Sequence, residues 1–261
     1  MRKIWLIAKT ILIEAVRRKD LYVVAFLSIV VLSFVGVFRF FGIRELHKFF
    51  RDVSLFVMNW ATMIIVILLA ARQLPREFES RTIYPLLAKP VSRLHFLLGK
   101  FLGTLLAAVI AYAIFMGFFF LGQWRIGVPV RWPIFLQMVY LHLLGMAIMC
   151  ALTLMLSTLM TYSATLTVAL LFFLFSEQIT SFLRVYFEKQ KYEEAGRLMK
   201  IVLQGLNFGV PQLALTDPAA KVVHDWGPIE GWVVRFWTLE AAIFVSVFFA
   251  VSFLKFRKRE I

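Results

Sequence analysis

Six apolar stretches, each about as long as a membrane is thick, dominate this sequence of 261 residues. They occupy residues 21–42, 53–71, 99–122, 133–160, 163–183 and 232–254. A helix rises about 1.5 Å per residue, so about 20 residues cross a hydrocarbon core of about 30 Å. Only 17% of the residues are charged and 61% are apolar, against about a quarter and about a half in a soluble domain. The sequence therefore predicts an all-α polytopic membrane protein with six transmembrane helices.

The first 20 residues have a different pattern. Apolar residues recur every three or four positions from Ile4 to Val16, and Lys9, Glu14 and Arg17 lie largely on the opposite side. This pattern predicts an amphipathic helix over residues 2–19 that lies along the inner membrane surface. The alternative is a continuation of the first transmembrane helix, but the charged pair at 19 and 20 favours a bend. The interrupting charges also argue against a cleavable signal peptide.

Lysine and arginine are concentrated in three parts of the chain: before residue 20, between 72 and 100, and after 254. Cytoplasmic loops of membrane proteins carry an excess of these residues. Both termini and segment 72–98 are therefore predicted to be cytoplasmic, and segment 184–231 extracytoplasmic. The same distribution explains the formal net charge of +14 without a nucleic-acid partner. The single cysteine, Cys150, excludes an intrachain disulfide.

The stretch PREFESRTIYPLLAKPVSR, residues 75–93, is strongly charged although it lies between two apolar stretches. Pro75 suits the first turn of a helix, and Glu77 suits its positive end. Pro90 ends that helix, and Ser92 is placed to cap the next one. We therefore expect a short helix whose charges face the cytosol.

A family resemblance rests on this stretch and the residues after it: Glu77, Glu79, Thr82, Leu86, Leu87, Pro90, Val91, Ser92, Arg93, Leu97, Leu98, Gly99 and Lys100. With them the chain resembles the permease subunits of type-2 ABC exporters. It is most similar to the six-span branch that includes the nitrous-oxide-reductase maturation permease and the gliding-motility permeases. The resemblance covers nearly the whole chain, with one departure: the glycine usual before the threonine is Arg81 here.

The resemblance implies a permease that is driven by separate ATPase subunits. In such exporters the loop helix docks in a cleft of the ATPase, and closure of two ATPases moves two permeases against each other. The residues that this assigns to the coupling interface are Arg76, Glu77, Glu79, Arg81, Thr82, Leu86, Leu87, Pro90 and Arg93. A merely solvated loop is the alternative. The implied setting is a prokaryotic inner or plasma membrane, with two ATPases and a second permease copy, identical or related.

The sequence lacks a nucleotide-binding motif of its own. Its only Gly-Lys, Gly99-Lys100, is followed by Phe101 and lacks the Ser or Thr of a P-loop. ATP and Mg²⁺ are therefore expected on the partner ATPase, and this chain is expected to have no cofactor and no catalytic residue. The four histidines are scattered, which predicts no metal site. The alternative function is a non-transporting membrane subunit that transmits ATP-driven motion to an extracytoplasmic partner.

Polar residues interrupt the apolar stretches at a few positions. Charged residues are rare within membranes and by default indicate functional sites. The set comprises Arg39, Asn59, His142, Glu177, Arg235 and Glu240. They either line the outer half of a transport path or form structural ion pairs between helices. Equal numbers of bases and acids favour the ion pairs.

Segment 184–231 is too polar to face lipid and too long for a plain turn. EKQKYEEAGRLMKIVLQGL has the pattern of an amphipathic helix, which LNFGVPQLALTDP then breaks. We expect a small helical cap over the outer mouth of the protein. This cap either gates exit, docks an extracytoplasmic accessory protein, or is a passive lid.

Overall fold

A computed structural model describes residues 2–17, 22, 23, 26, 29, 30, 46–75, 92–127, 129–188, 204, 205 and 209–258. The described chain contains no strand, which confirms the all-α prediction for these residues. Its helices are α1 (Arg2–Arg17), α2 (Leu46–Arg72), α3 (Arg93–Ile126), α4 (Trp132–Leu159), α5 (Tyr162–Glu188), α6 (Ala219–Val223) and α7 (Gly231–Lys258). A 3₁₀ turn at Leu213–Thr216 precedes α6.

Among the described helices, five are long and apolar enough to cross a membrane. Their apolar parts are His47–Arg72, Arg93–Ile126, Trp132–Leu159, Tyr162–Leu183 and Gly231–Arg257. These correspond in order to the last five predicted stretches. The first predicted stretch, 21–42, lies mostly outside the described residues, so a sixth span stays a prediction.

Helices α2 and α4 form the centre of the bundle. In the most apolar 18 residues of each of these helices, 67% of the residues are buried, whereas the corresponding share is 22% in α5 and 17% in α7. Met58 on α2 and Leu141 on α4 are fully enclosed, whereas Phe175 on α5 and Leu239 on α7 are exposed. Lipid tails are as apolar as these side chains, so α5 and α7 are the helices suited to face lipid or another membrane chain.

Helix α1 lies against the first half of α3 at very close range. A Cβ atom on Gly99 would come within 2.7 Å of Ile7, and one on Gly103 within 2.9 Å of the Ala8 backbone. The two glycines therefore allow the helices to touch. The opposite side of α1 exposes Trp5. Its location at the inner membrane surface stays a prediction.

The start of α3 is capped as the sequence predicts. The Ser92 hydroxyl accepts a hydrogen bond from the backbone N–H of His95, in the geometry of an N-cap. Gly127 ends the same helix with a φ of 80°, a left-handed conformation that glycine adopts without strain. The cap places the start of α3 at Arg93, within the predicted cytoplasmic segment 72–98.

Candidate functional site

Residues 209–225, which we call the re-entrant segment, enter the bundle from the predicted outer end and return to the same end. On the way in, the backbone N–H of Gln212 donates to the carboxylate of Glu240, about 14 Å along α7 from its first residue. At the tip, Thr216 packs against Gly145, the midpoint of α4, so closely that a Cβ there would lie 2.5 Å from the Thr216 hydroxyl. The chain therefore reaches halfway down the bundle. Irregular backbone is tolerated at this depth only where protein or a cavity surrounds it.

Asp217 anchors the tip to α2. Its Oδ1 accepts a hydrogen bond of 2.7 Å from Asn59 Nδ2 and one of 3.1 Å from the backbone N–H of Ala219. Asn59 is 2% exposed and lies at the midpoint of α2. The surrounding protein raises the pKa of the Asp217 carboxyl above its ordinary value, and the charge of Glu177 on α5 also raises it, while the two hydrogen bonds oppose them.

The other side of Asp217 opens to a cleft of about 440 Å³ between the re-entrant segment and the start of α7. Lys221, Glu230 and Trp237 also line this cleft. The tip of the segment is thus bonded to the bundle on one side and accessible on the other.

Arg51 holds the segment where it leaves the bundle. Its Nη1 lies 2.9 Å from both carboxylate oxygens of Asp225, and its Nη2 donates to the carbonyl of Pro129 at 2.8 Å. The Arg51 side chain has no exposed surface, and that of Asp225 is 30% exposed. Asp225 has a φ of 53°, in the left-handed region that aspartate adopts more readily than most residues. This pair joins α2, the α3–α4 connection and the re-entrant segment.

A second group of polar side chains lies in the buried interior next to Asn59. The Thr62 hydroxyl, 2.8 Å from the Met58 carbonyl, donates its one hydrogen there. His142 Nε2 lies 2.8 Å from the same oxygen and therefore donates to it, which leaves Nδ1 as an acceptor. The His142 ring stacks on Tyr112, with 4.7 Å between ring centroids. These contacts tie α2, α3 and α4 together at mid-depth.

Four of the six predicted intramembrane polar residues lie on or beside the path of the re-entrant segment. Asn59 binds its tip, Glu240 binds its entry, and Glu177 lies close enough to act on Asp217 by its charge. His142 is one hydrogen bond further into the bundle, on Thr62.

The structure does not bring Arg235 of that set to either acid. Arg235 is exposed, and its Nε donates to the carbonyl of Gly231 at 3.3 Å. In the described part of the chain Arg235 forms no ion pair with Glu177 or Glu240, whereas Arg51, which was not in the predicted set, pairs with Asp225. Arg39 lies outside the described residues.

Most of the predicted coupling interface also lies outside them: Arg76, Glu77, Glu79, Arg81, Thr82, Leu86, Leu87 and Pro90. The flanks of that segment are described. On one side, the buried ammonium of Lys100 donates to Gln73 Oε1 at 3.0 Å and lies 5.5 Å from the centre of the Phe96 ring. The beginning of α3 is thereby bonded to the chain just after α2.

Arg93 fastens the same flank to α7. Its Nη1 donates to the carbonyls of Phe256 at 2.7 Å and Arg257 at 2.9 Å. The last carbonyls of a helix lack intrahelical partners, and an arginine is well suited to satisfy them. Arg93 thus bonds to this chain's own α7, and its contact with an ATPase stays a prediction.

The sequence did not predict three functional candidates: Arg51, Asp217 and Asp225. Arg51 lies just before the predicted second stretch, and the two aspartates lie in the predicted cap. One feature of the sequence could have indicated Asp217. Asn59 and His142 lie in apolar stretches and need polar partners when buried, and Asp217 supplies a carboxylate in the long predicted outer segment. Among the described residues, no three His, Cys, Asp or Glu side chains come together as a metal site would require.

These features define a class, an integral membrane protein of packed helices that enclose a re-entrant segment in the predicted outer half. A family model of the ABC-2 family transporter proteins matches residues 5–261. The chain therefore belongs to this family and is a membrane component of an ABC transporter. Members of the family in general associate with ABC ATPase subunits in a dimeric arrangement. Comparison with individual curated proteins gave no match.

Proposed function

We propose that the chain is the permease subunit of an ATP-driven exporter in a prokaryotic inner or plasma membrane. Two separate ATPase subunits bind ATP and Mg²⁺ and act on segment 72–98, and two permease copies, identical or related, move against each other. The observation that carries the proposal is the set of polar contacts along α2. Its start binds Asp225, its midpoint binds Asp217, and Gln73 just beyond its end binds Lys100.

Movement of segment 72–98 would reach several helices at once. Lys100 links α3 to the end of α2, and Arg93 links α3 to the end of α7. Helix α1 moves together with α3 because the two helices are in direct contact at Gly99 and Gly103. A force on this segment therefore displaces a connected group of helices rather than a single loop.

That displacement moves the re-entrant segment because two helices contact its tip from different sides. Asn59 on α2 binds Asp217, and Gly145 on α4 packs against Thr216. A packed interface without free space does not deform continuously, so a shift of α2 against α4 moves the tip to a new position. The re-entrant segment is then the element of the outer half that moves in response to ATP hydrolysis.

Reversing the charges of Glu77 and Glu79 to lysine tests the coupling. Exposed substitutions usually change stability by no more than about 0.5 kcal/mol. Like charges brought together at an interface cost several kcal/mol, and each 1.4 kcal/mol is about tenfold in affinity. The double variant is expected to reach the membrane at normal levels and to lose its ATPase subunits during purification.

Asp52→Lys is the matched control, because it reverses an exposed charge at the opposite end of α2. It is expected to keep the ATPases. If they stay bound to the E77K/E79K protein and transport continues, the segment is a solvated loop and the coupling proposal fails.

Two measurements on the intact complex address the rest of the proposal. Native mass spectrometry is expected to show two permease copies with two ATPases, and a single permease copy that retains ATPases would contradict the dimer. Stimulation of ATP hydrolysis by a translocated compound indicates an exporter. Stimulation by an extracytoplasmic protein alone indicates the non-transporting alternative.

A further inference from the structure

A groove of about 880 Å³ runs along the exposed face of α7, with Tyr140 of α4 on one side. Its lining extends along α7 from Val234 and Arg235 to Val247 and is mainly apolar. The Tyr140 hydroxyl is 3.0 Å from that of Thr238, so the polar groups at this edge satisfy each other. The groove therefore presents an apolar trough with a cation near one end.

Arg235 is that cation, and the nearby acids are engaged elsewhere. Glu230 accepts a hydrogen bond from the indole of Trp232, and Glu240 accepts one from the backbone of Gln212. In the described residues Arg235 is bound through Nε to Gly231, which holds the guanidinium at the end of the groove. A guanidinium with no carboxylate partner pairs well with a phosphate.

The dimensions of the groove match one leaflet of a bilayer. Helix α7 has 28 residues and is about 42 Å long, so about 6 Å extends beyond each side of a core of about 30 Å. Arg235 is about 6 Å from its first residue, at the boundary between headgroups and hydrocarbon. Val247 is about 18 Å further along, near the middle of the bilayer, and half of the core is about 15 Å.

We propose that this groove binds a diacyl phospholipid, with the phosphate on Arg235 and one acyl chain along the trough to Val247. The site lies in the leaflet opposite the basic end of α7 at Lys255. A second copy of this chain fits less well, because a two-fold contact across the groove would bring the two Arg235 side chains together. The site does not depend on the proposed ATPase coupling.

Photo-cross-linking in phosphatidylcholine nanodiscs tests the proposal. The probe is phosphatidylcholine with a diazirine in one acyl chain, and the comparator is a diacylglycerol with the same chains and no phosphate. Mass spectrometry measures the yield on peptides between residues 231 and 247. The wild-type protein is expected to give severalfold more product with the phospholipid, because only this probe offers a phosphate to the guanidinium.

Arg235→Gln is expected to abolish this preference, and Arg125→Gln, an exposed arginine at the end of α3, should retain it. Ala242→Phe fills the trough and should lower the yield with both probes, and Ser246→Leu is a second filling variant if the first misfolds. Equal wild-type labelling by both probes would overturn the proposal. So would filling variants that leave labelling unchanged but separate permease dimers, since the groove would then be a protein interface.

Discussion

Replacing Asp225 removes the only carboxylate that the described structure places on the enclosed Arg51. Asp225→Asn keeps an oxygen acceptor and tolerates the left-handed backbone, so it removes mainly the charge. Asp225→Gly also accepts that backbone and removes the acceptor as well, without the strain that alanine would add.

The magnitudes follow from the geometry of the pair. A hydrogen bond to a charged group contributes about 1.5–3 kcal/mol, and removing one partner of a buried ion pair costs about 3–5 kcal/mol. Because the Asp225 side chain is 30% exposed, we take the lower end of each range. The re-entrant segment should therefore open more easily by about 1.5 kcal/mol in Asp225→Asn and about 3 kcal/mol in Asp225→Gly.

Thiol labelling measures this opening directly. The reporter is Val222→Cys, a position within the segment that is 1% exposed, in a Cys150→Ala background that has no other thiol. When opening is fast and precedes labelling, the rate follows the open population. We expect the rate to rise about tenfold in Asp225→Asn and about 150-fold in Asp225→Gly.

Two controls separate opening from other effects. Gly227→Cys is exposed and should react at the same rate in all backgrounds. Asp52→Asn makes the same chemical change at an exposed site near Arg51 in sequence and should not accelerate the reporter. If the reporter rate in Asp225→Gly stays within about twofold of the parent, Arg51 does not hold the segment in place and the reasoning is refuted.

Two further predictions concern packing and orientation. Gly145→Ala should destabilise the protein by about 1–3 kcal/mol, the usual cost of overpacking, because its methyl group would overlap Thr216. Thermal unfolding in nanodiscs measures the change, and Gly117→Ala, whose methyl group would meet open space, should be near neutral. An unchanged melting temperature in Gly145→Ala would contradict the close packing at the tip. Single cysteines at positions 47 and 200 should react with a membrane-impermeant thiol reagent in intact cells, and those at 80 and 258 should not; reversed labelling would overturn the predicted orientation and the coupling proposal with it.

The apolar stretches were predictable because helix length and hydropathy are local properties. The predicted fourth stretch, 133–160, differs from α4 by one residue at each end. The start of α2 was predicted less well, at 53 instead of Leu46. The charge of Arg51 makes a hydropathy pattern place the beginning of the apolar stretch after it. No residue near Arg51 in the sequence indicates that Asp225 compensates this charge.

The re-entrant segment could not be predicted for a similar reason. LALTDPAA is too short and too polar to resemble a membrane helix, so its composition indicates an outer loop. It is stable at depth because Asn59, Gly145 and Arg51 accommodate it, and these residues lie on two helices far away in the sequence. The sequence indicated that Asn59, His142 and Glu240 are polar residues within apolar stretches, but it did not indicate the element that they surround.

The distance between Arg51 and Asp225 along the chain also sets an order on biogenesis. The two residues are 174 positions apart, and ribosomes add about 5–20 residues per second, so about 10–35 s pass between their syntheses. Until then the guanidinium lacks the carboxylate of Asp225, and enclosing it without that partner would cost several kcal/mol. We therefore expect the start of α2 to stay at the aqueous interface during translation, and Arg51 to be enclosed only after residue 225 has reached the same side of the membrane.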